Sequence, residues 1–423
     1  MTVNCTPSVL NGTIKSISSK SDVHRLLICA ALSEKETKIY CNVMSKDIAA
    51  TICCLKSMGT EISVDGDVIT VSPNQFNKKA ELDCCESGST LRFLLPLVSA
   101  LGIDATIKGS GRLPQRPISP LKEEMEKKGV TFHTDNKFPL HLTGQLQSGE
   151  YTIQGNISSQ FITGLLMSLP ILNGDSTIKL IPPVESKSYL DITVSVLNKF
   201  GIEIKEKDNT YIIKGNQKYV SPEEISVEGD WSNASFFLCA GALSENGVTV
   251  TDLDINSPQG DKKILDVLKS VGADVEVGSN EITVKKDKLN GITVDASDIP
   301  DLVPIVSVIA TACNGETRII NGGRLRIKES DRIKSVVEMI NSVGGYAEET
   351  DDGMIIHGGK ALKGGKVNGY NDHRIVMSAS ILSTLCENNV KITDGNAVEK
   401  SYPDFFTDFN KMGGSANVLN DRE

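Results

Sequence analysis

Six times along this chain an amphipathic helical stretch closes on a glycine, in LKSMG, EEMEKKG, SVLNKFG, LDVLKSVG, EMINSVGG and DFNKMGG. The glycines are Gly59, Gly129, Gly201, Gly272, Gly344 and Gly413, at successive separations of 70, 72, 71, 72 and 69 residues. A period that regular marks one supersecondary unit used repeatedly. Glycine suits the left-handed position that ends a helix, because it has no Cβ to clash there. After each of the first five glycines comes an alternating run such as TEISVDGDVITV or ADVEVGSNEITV, whose period of two and central turn residues predict a β-hairpin. Five of the six helices begin near an aspartate, namely Asp47, Asp191, Asp261, Asp331 and Asp404, the residue type that satisfies free N–H groups at a positive helix end. The second copy carries Arg116-Pro117 at that place instead.

Upstream in every unit lies a helix of different character: SDVHRLLICAAL, GSTLRFLLPLVSAL, SQFITGLLMSLPIL, NASFFLCAGAL, PDLVPIVSVIATA and HRIVMSASILSTL. A helix apolar on nearly all sides belongs in the centre of a domain. The pattern predicts an α/β chain of six βαβαββ units, each with one inner and one outer helix, divided into two domains of three. A linear solenoid fits less well, because buried helices leave no face on which the next repeat can stack. With 423 residues, 39% of them hydrophobic, the chain is too long for one core and apolar enough to fold throughout.

Composition narrows the function classes. A net charge of −10 argues against nucleic acid or an anionic membrane surface, which need a basic footprint. A small anion stays compatible, since a local cluster of Arg and Lys overrides the global sign. The opening MTVNCTPSVLNGTIKS lacks a basic segment followed by an apolar one, and no run of about 18 apolar residues occurs, so a cytoplasmic protein is expected. The ten cysteines form no CxxC pair, and the doublets Cys53-Cys54 and Cys84-Cys85 do not have zinc or disulfide spacing. Reduced structural thiols, no metal and no organic cofactor are expected.

Each inner helix opens on polar residues: Lys20-Ser21, Ser87-Gly88-Ser89, Ser158-Ser159-Gln160, Ser232-Asn233, Asp298 to Asp301, and Asn371-Asp372-His373-Arg374. Capping alone accounts for Ser, Asn and Asp at such places. Parallel inner helices would also aim their positive ends at a common region, which makes an anion site. Lys20, Arg25, Arg92, Arg116, Lys328, Arg332, Arg374 and Lys400 all fall within or beside these starts, where merely solvated charge has no reason to concentrate. A multiply anionic ligand explains them, with arginine forks matched to carboxylate or phosphate. Asp301 and Glu329, set among these cations, are candidates for proton transfer, or for salt bridges that hold the arginines.

These residues resemble the 5-enolpyruvylshikimate-3-phosphate synthase family. The matching stretches are SKSDVHR (19–25), ESGSTLRF (86–93), RPIS (116–119), GNISSQFITGLLMSLP (155–170), SKSYLDIT (186–193), EGDWSNASFF (228–237), IPDLVP (299–304), RIKESDR (326–332), NDHRIVMSA (371–379) and EKSYPDFF (399–406). They run from one end of the chain to the other in the family's order. The resemblance implies two domains of three βαβαββ units each, an inside-out α/β barrel around a pseudo-threefold axis, closing by a hinge. It implies residues 18–227 as a shikimate 3-phosphate-side domain and 228–423 as a phosphoenolpyruvate-side domain, with 1–17 contributing a strand to the latter.

By the family's pattern, Lys20, Gly88, Arg116, Gln160, Arg332, Arg374 and Lys400 would hold phosphoenolpyruvate. Lys20, Ser21, Arg25, Ser158, Ser159, Gln160, Ser186, Asp301 and Lys328 would hold shikimate 3-phosphate, with Tyr189 flanking its ring. The implied reaction adds the 5-hydroxyl of shikimate 3-phosphate to C2 of phosphoenolpyruvate and then expels phosphate, with Asp301, Glu329 and Lys20 as the catalytic groups of an enzyme expected to be monomeric. A related transferase places enolpyruvyl on a UDP-amino sugar. It usually carries a reactive cysteine on a loop, and the corresponding GSGRLPQRP here has none. The chain departs from the family at Glu86 and Arg324, where Asn is usual, and at Phe93, where many relatives have Pro. His24, His373 and Trp231 are read as packing residues.

Overall fold

The computed structural model describes residues 1–134 and 137–419. Its contacts divide the chain into two compact units, one formed by Ser18–Val227 and the other by Met1–Ile17 with Glu228–Glu423. Each unit contains three four-stranded sheets among the described residues.

All six sheets are built alike. In the second repeat the strands Lys79–Asp83 and Asp104–Lys108 run parallel, with Lys79 opposite Asp104, because a helix crosses between them. A hairpin of Val130–Phe132 and Leu140–Gly144 then adds to the second strand antiparallel. The third repeat (Glu150–Gln154, Ser176–Ile181, Ile204–Lys207, Thr210–Ile213) and the fifth (Thr293–Asp295, Glu316–Ile320, Ala347–Glu349, Met354–His357) keep the same order. The remaining three are completed by distant segments. Glu224–Ser226 supplies the leading strand of the first sheet, parallel to Thr37–Tyr40. Gly12–Lys15 leads the fourth, parallel to Val248–Thr251. Thr2–Cys5 closes the sixth, between Val390–Ile392 and Ala416–Leu419.

Twelve α-helices occur among the described residues. The inner ones are α1 (Lys20–Leu32), α3 (Gly88–Ala100), α5 (Ser159–Ser168), α7 (Trp231–Ala242), α9 (Val303–Ala312) and α11 (His373–Leu382). The outer ones are α2 (Lys46–Ser57), α4 (Leu121–Lys127), α6 (Lys187–Lys199), α8 (Ile264–Val271), α10 (Arg332–Ser342) and α12 (Phe405–Lys411). The inner helices are buried over almost their whole length. Several of their hydroxyls are satisfied locally: Ser168, Ser307 and Ser380 each donate to the carbonyl four residues back, at 2.7, 2.8 and 2.9 Å, which offsets the cost of burying them. In the second unit α7, α9 and α11 pack on one another. In the first, α3 lies so close to α5 that a Cβ at Gly164 would strike the Arg92 carbonyl and sit 2.8 Å from Pro96 Cγ.

All six repeat glycines have positive φ, between +74° and +111°, the left-handed closure the sequence predicts. The aspartates behave less uniformly. Asp331 caps α10 by accepting from the Lys334 amide at 3.2 Å, whereas α2 is capped by Ser45 and only carries Asp47 in its first turn. Asp261 caps nothing and is buried in a 3-10 turn, Gly260–Lys263, that leads into α8.

Candidate active site

In the Ser18–Val227 unit the starts of α3 and α5 carry one polar cluster. Ser87 caps α3 and Ser158 caps α5, which brings Ser89, Arg92 and Gln160 together. Arg92 Nη1 donates to Gln160 Oε1 at 2.6 Å, and Gln160 Nε2 donates to Ser89 Oγ at 2.9 Å. Arg92 Nη2 reaches the Pro117 carbonyl at 3.0 Å, which ties down the chain beside Arg116. The Arg116 guanidinium lies across Gly88: a Cβ there would be 2.7 Å from its Nη1. Gly88, Arg116 and Gln160 are thus neighbours, with Ser158 and Ser159 at the same helix start.

A second cluster surrounds Arg25. This buried guanidinium donates to Thr193 Oγ1 at 2.8 Å, the Ser21 carbonyl at 2.6 Å, the Tyr189 carbonyl at 3.0 Å and Thr163 Oγ1 at 3.4 Å. Burial pulls it down to about 10, so it stays charged at neutral pH. Ser186, which precedes α6, has φ +53°; a left-handed residue other than glycine stores strain that the surroundings must hold. Its carbonyl accepts from the Tyr189 amide at 3.1 Å, so Ser21, Arg25, Ser186 and Tyr189 form one group. Lys20 Nζ meets Asp47 Oδ2 at 2.8 Å.

The other unit holds a denser network. Arg332 opens α10 and is almost fully buried, at 1% side-chain exposure. Its Nη1 meets Asp301 Oδ1 at 2.6 Å, its Nη2 meets Glu329 Oε2 at 2.9 Å, and its Nε meets Asp372 Oδ2 at 2.9 Å. Burial opposes its charge, but Asp372, Glu329 and Asp301 outweigh burial and hold the proton firmly. Lys328 Nζ lies 3.6 Å from Asp301 Oδ1, and burial brings this ammonium down to about 8. Arg374 donates through Nη1 to the Asp301 carbonyl at 3.0 Å and through Nη2 to Ser232 Oγ at 2.7 Å. Lys400 Nζ donates to the carbonyl of Asn371 at 2.6 Å; Tyr370 and Asn371 are both left-handed, at φ +53° and +50°.

Asp372 is the hub that sequence reasoning left without a role. It caps α11 by accepting from the Arg374 amide at 2.9 Å, and it also accepts from Ser330 Oγ and Arg332. Its place in NDHR, just ahead of an apolar helix, was the available signal. Ser232 and Asp261 were likewise read only as helix-start residues.

The family model for EPSP synthase (3-phosphoshikimate 1-carboxyvinyltransferase) matches residues 5–409. The chain belongs to the EPSP synthase family. Among similar proteins, the 3-phosphoshikimate 1-carboxyvinyltransferase of Clostridium novyi is 45% identical with 96% of each chain covered, and that of Clostridium kluyveri is 42% identical with 97% of each covered. An EPSP synthase structure from Acinetobacter baumannii superposes with a TM-score of 0.83 at 24% identity, covering 99% of this chain and 100% of its own. The enolpyruvyl transferase NikO from Streptomyces tendae gives 0.80 at 18% identity, over 98% of both chains. Those two likenesses speak for the fold alone.

Against the EPSP synthase pattern, the unusual Glu86 lies over Gly111, whose φ of +57° and missing side chain make room for the carboxylate. Arg324 donates to the Ser297 carbonyl at 3.2 Å. Phe93 is buried and sits under the Arg25 guanidinium, 5.1 Å from ring centre to Cζ. His24 is buried with Nδ1 2.7 Å from Thr51 Oγ1, and Trp231 donates to the Asp254 carbonyl at 3.1 Å. No helix among the described residues is long and apolar enough to cross a membrane.

Proposed function

We propose that this chain transfers the enolpyruvyl group of phosphoenolpyruvate to the 5-hydroxyl of shikimate 3-phosphate and releases phosphate. Membership of the EPSP synthase family and relatives of that name at 40–45% identity support the reaction over transfer to a UDP-amino sugar. The observation that carries the chemistry is that one buried arginine, Arg332, binds two acids, Asp301 and Glu329, at 2.6 and 2.9 Å.

Phosphoenolpyruvate is held by Lys20, Gly88, Arg116, Gln160, Arg332, Arg374 and Lys400, whose cations match its carboxylate and phosphate. Shikimate 3-phosphate is held by Lys20, Ser21, Arg25, Ser158, Ser159, Gln160, Ser186, Asp301 and Lys328, with Tyr189 beside the ring. Asp301 takes the proton of the 5-hydroxyl as its oxygen bonds to C2, while Glu329 delivers a proton to C3. In the second step Glu329 takes a C3 proton back, the C2–phosphate bond breaks, and Lys20 stabilises the leaving oxygen. Arg332 keeps both acids oriented, and Asp372 keeps Arg332 in place. A single chain supplies every side chain named, so a monomer suffices; the ten free cysteines suit a reducing cytoplasm.

Phosphate release from phosphoenolpyruvate tests the reading. It should require shikimate 3-phosphate and proceed without added metal, and release driven instead by a UDP-amino sugar would overturn it.

A further inference from the structure

Lys20 and His24 stand one turn apart on α1, and Asp47 and Thr51 one turn apart on α2, so each pair shares a helix face. The two faces meet in two rungs. Lys20 Nζ meets Asp47 Oδ2 at 2.8 Å, and one turn further along His24 Nδ1 lies 2.7 Å from Thr51 Oγ1. The second rung does not end at α2. Thr51 Oγ1 is 2.7 Å from Thr90 Oγ1 on α3, and Thr90 donates through that hydroxyl to Ser87 Oγ at 2.7 Å. The same Ser87 oxygen accepts from the Thr90 amide at 3.2 Å and so caps α3. All four side chains of this string are buried.

A hydroxyl has one proton to give, and that fixes the direction of the string. Thr90 gives its proton to Ser87, so Thr51 must donate to Thr90, and the imidazole must donate to Thr51. His24 therefore carries its proton on Nδ1. Its Nε2 is buried with no hydrogen-bond partner, a place where an N–H would be stranded at a cost and a bare ring nitrogen is the better tenant. Burial, with Lys20 and Arg25 adding to it, holds the imidazole well below its ordinary pKa, so it carries a single proton. The Phe93 ring meets it edge-on, with centroids 6.3 Å apart and planes at 86°, which limits rotation of the imidazole.

We propose that His24 is a positioning residue for the enolpyruvyl-transfer reaction, setting the start of α3 through Thr51, Thr90 and Ser87. This rests on Gly88, Arg116 and Gln160 binding phosphoenolpyruvate as read above. Ser87 is followed by Gly88, across which the Arg116 guanidinium lies, and by Ser89, which accepts from Gln160 at 2.9 Å. A shift of the Ser87 cap moves both. The string ties that cap to α1 one turn from Lys20, so it holds two parts of one subsite, carried on separate helices, in register.

The test breaks the string at its middle. Thr51→Val keeps the volume and removes the hydroxyl, whereas Thr51→Ser keeps the hydroxyl and gives up a methyl group. Assayed well below both melting temperatures, Thr51→Val should lower kcat/KM for phosphoenolpyruvate on the order of tenfold, and Thr51→Ser should stay near wild type. KM for shikimate 3-phosphate, whose Arg25 cluster lies off the string, should hardly change in either. Links of one chain are non-additive, so Thr51→Val combined with Thr90→Val should lose no more than Thr90→Val alone. Wild-type kinetics in Thr51→Val, equal losses in the two Thr51 variants, an equal change for both substrates, or a multiplicative double mutant would overturn the proposal. Nitrogen NMR of the histidine-labelled protein, with the His24 signal assigned by its loss in His24→Gln, reads the string without substrate and so apart from the reaction itself. His24 should hold its proton on Nδ1, and a proton on Nε2 refutes the positioning role whatever the enzyme turns over.

Discussion

Replacing Gly88 by alanine adds one methyl group where the structure says what it meets. The new Cβ would stand 2.7 Å from Arg116 Nη1, 3.0 Å from Cζ and 3.1 Å from Nη2. Non-bonded heavy atoms settle at about 3.5–4.0 Å, so the guanidinium must retreat by about 1 Å. The retreat is mechanically easy, because the obstructing group is the end of a flexible side chain. Stability should not suffer, since Gly88 opens α3 with helical backbone and alanine is favoured over glycine in a helix by roughly 0.5–1 kcal/mol. Catalysis should suffer, because a misplacement of about 1 Å in a substrate-orienting group costs on the order of a hundredfold, or about 2.7 kcal/mol of transition-state binding. Steady-state phosphate release should therefore show kcat/KM for phosphoenolpyruvate falling about a hundredfold in Gly88→Ala, with the melting temperature equal or higher. The control is the same change on an Arg116→Ala background, where there is no guanidinium to displace and the further loss should be small. A full loss on that background would mean that Gly88 crowds the ligand directly; wild-type kinetics in Gly88→Ala alone would refute both routes.

Other expectations follow from the acid network. Asp301→Asn keeps shape and removes the base, so turnover should drop by about two to four orders of magnitude with folding intact; retention of most of the turnover would remove Asp301 from that role. Glu329→Gln should abolish exchange of the C3 hydrogens of phosphoenolpyruvate with deuterated water, followed by NMR, and continued exchange would assign that proton to another group. Lys328 is lowered from 10.5 to about 8 by burial, so its charge is lost as pH rises through that value. Affinity for shikimate 3-phosphate should weaken above it, and Lys328→Arg should erase the inflection. Because the unfolded chain holds this proton more tightly, the same group should make folding more favourable as pH climbs from about 8 toward 10.5. Asp372→Ala leaves the buried Arg332 Nε and the Ser330 hydroxyl without their acceptor and should cost about 3–5 kcal/mol in denaturant unfolding; a loss under about 1 kcal/mol would show that Asp301 and Glu329 suffice.

The repeat could be read from the sequence because its signals are local. A left-handed glycine, an alternating hairpin and an all-apolar helix each declare themselves within a dozen residues, and all six glycines adopt the conformation that their position requires. Sheet completion was hidden. The pairings of Glu224–Ser226 with Thr37–Tyr40 and of Thr2–Cys5 with Val390–Ile392 join three- and four-residue strands across most of a unit, and no local pattern encodes such partners. Site chemistry divided the same way. Cations at helix starts were visible as a concentration of residue types, whereas the bonding of Arg25 into its own unit and the service of Asp372 to Arg332 depend on which helix ends meet. Asp261 was misleading for this reason, since an aspartate before a helix looks like a cap until its burial is known.

The borrowed strands set an order on assembly. The Ser18–Val227 unit receives its last strand from Glu224–Ser226, so it is complete in sequence once residue 227 has been made. The strands Thr2–Cys5 and Gly12–Lys15 are made before that unit, yet their partners Val390–Ile392, Ala416–Leu419 and Val248–Thr251 come after it. During synthesis the leading segment must therefore wait with bare edges while a finished unit stands behind it, and unpaired edges of that kind recruit other chains. Thr2–Cys5 and Gly12–Lys15 thus precede a whole unit in the chain and pair only beyond it.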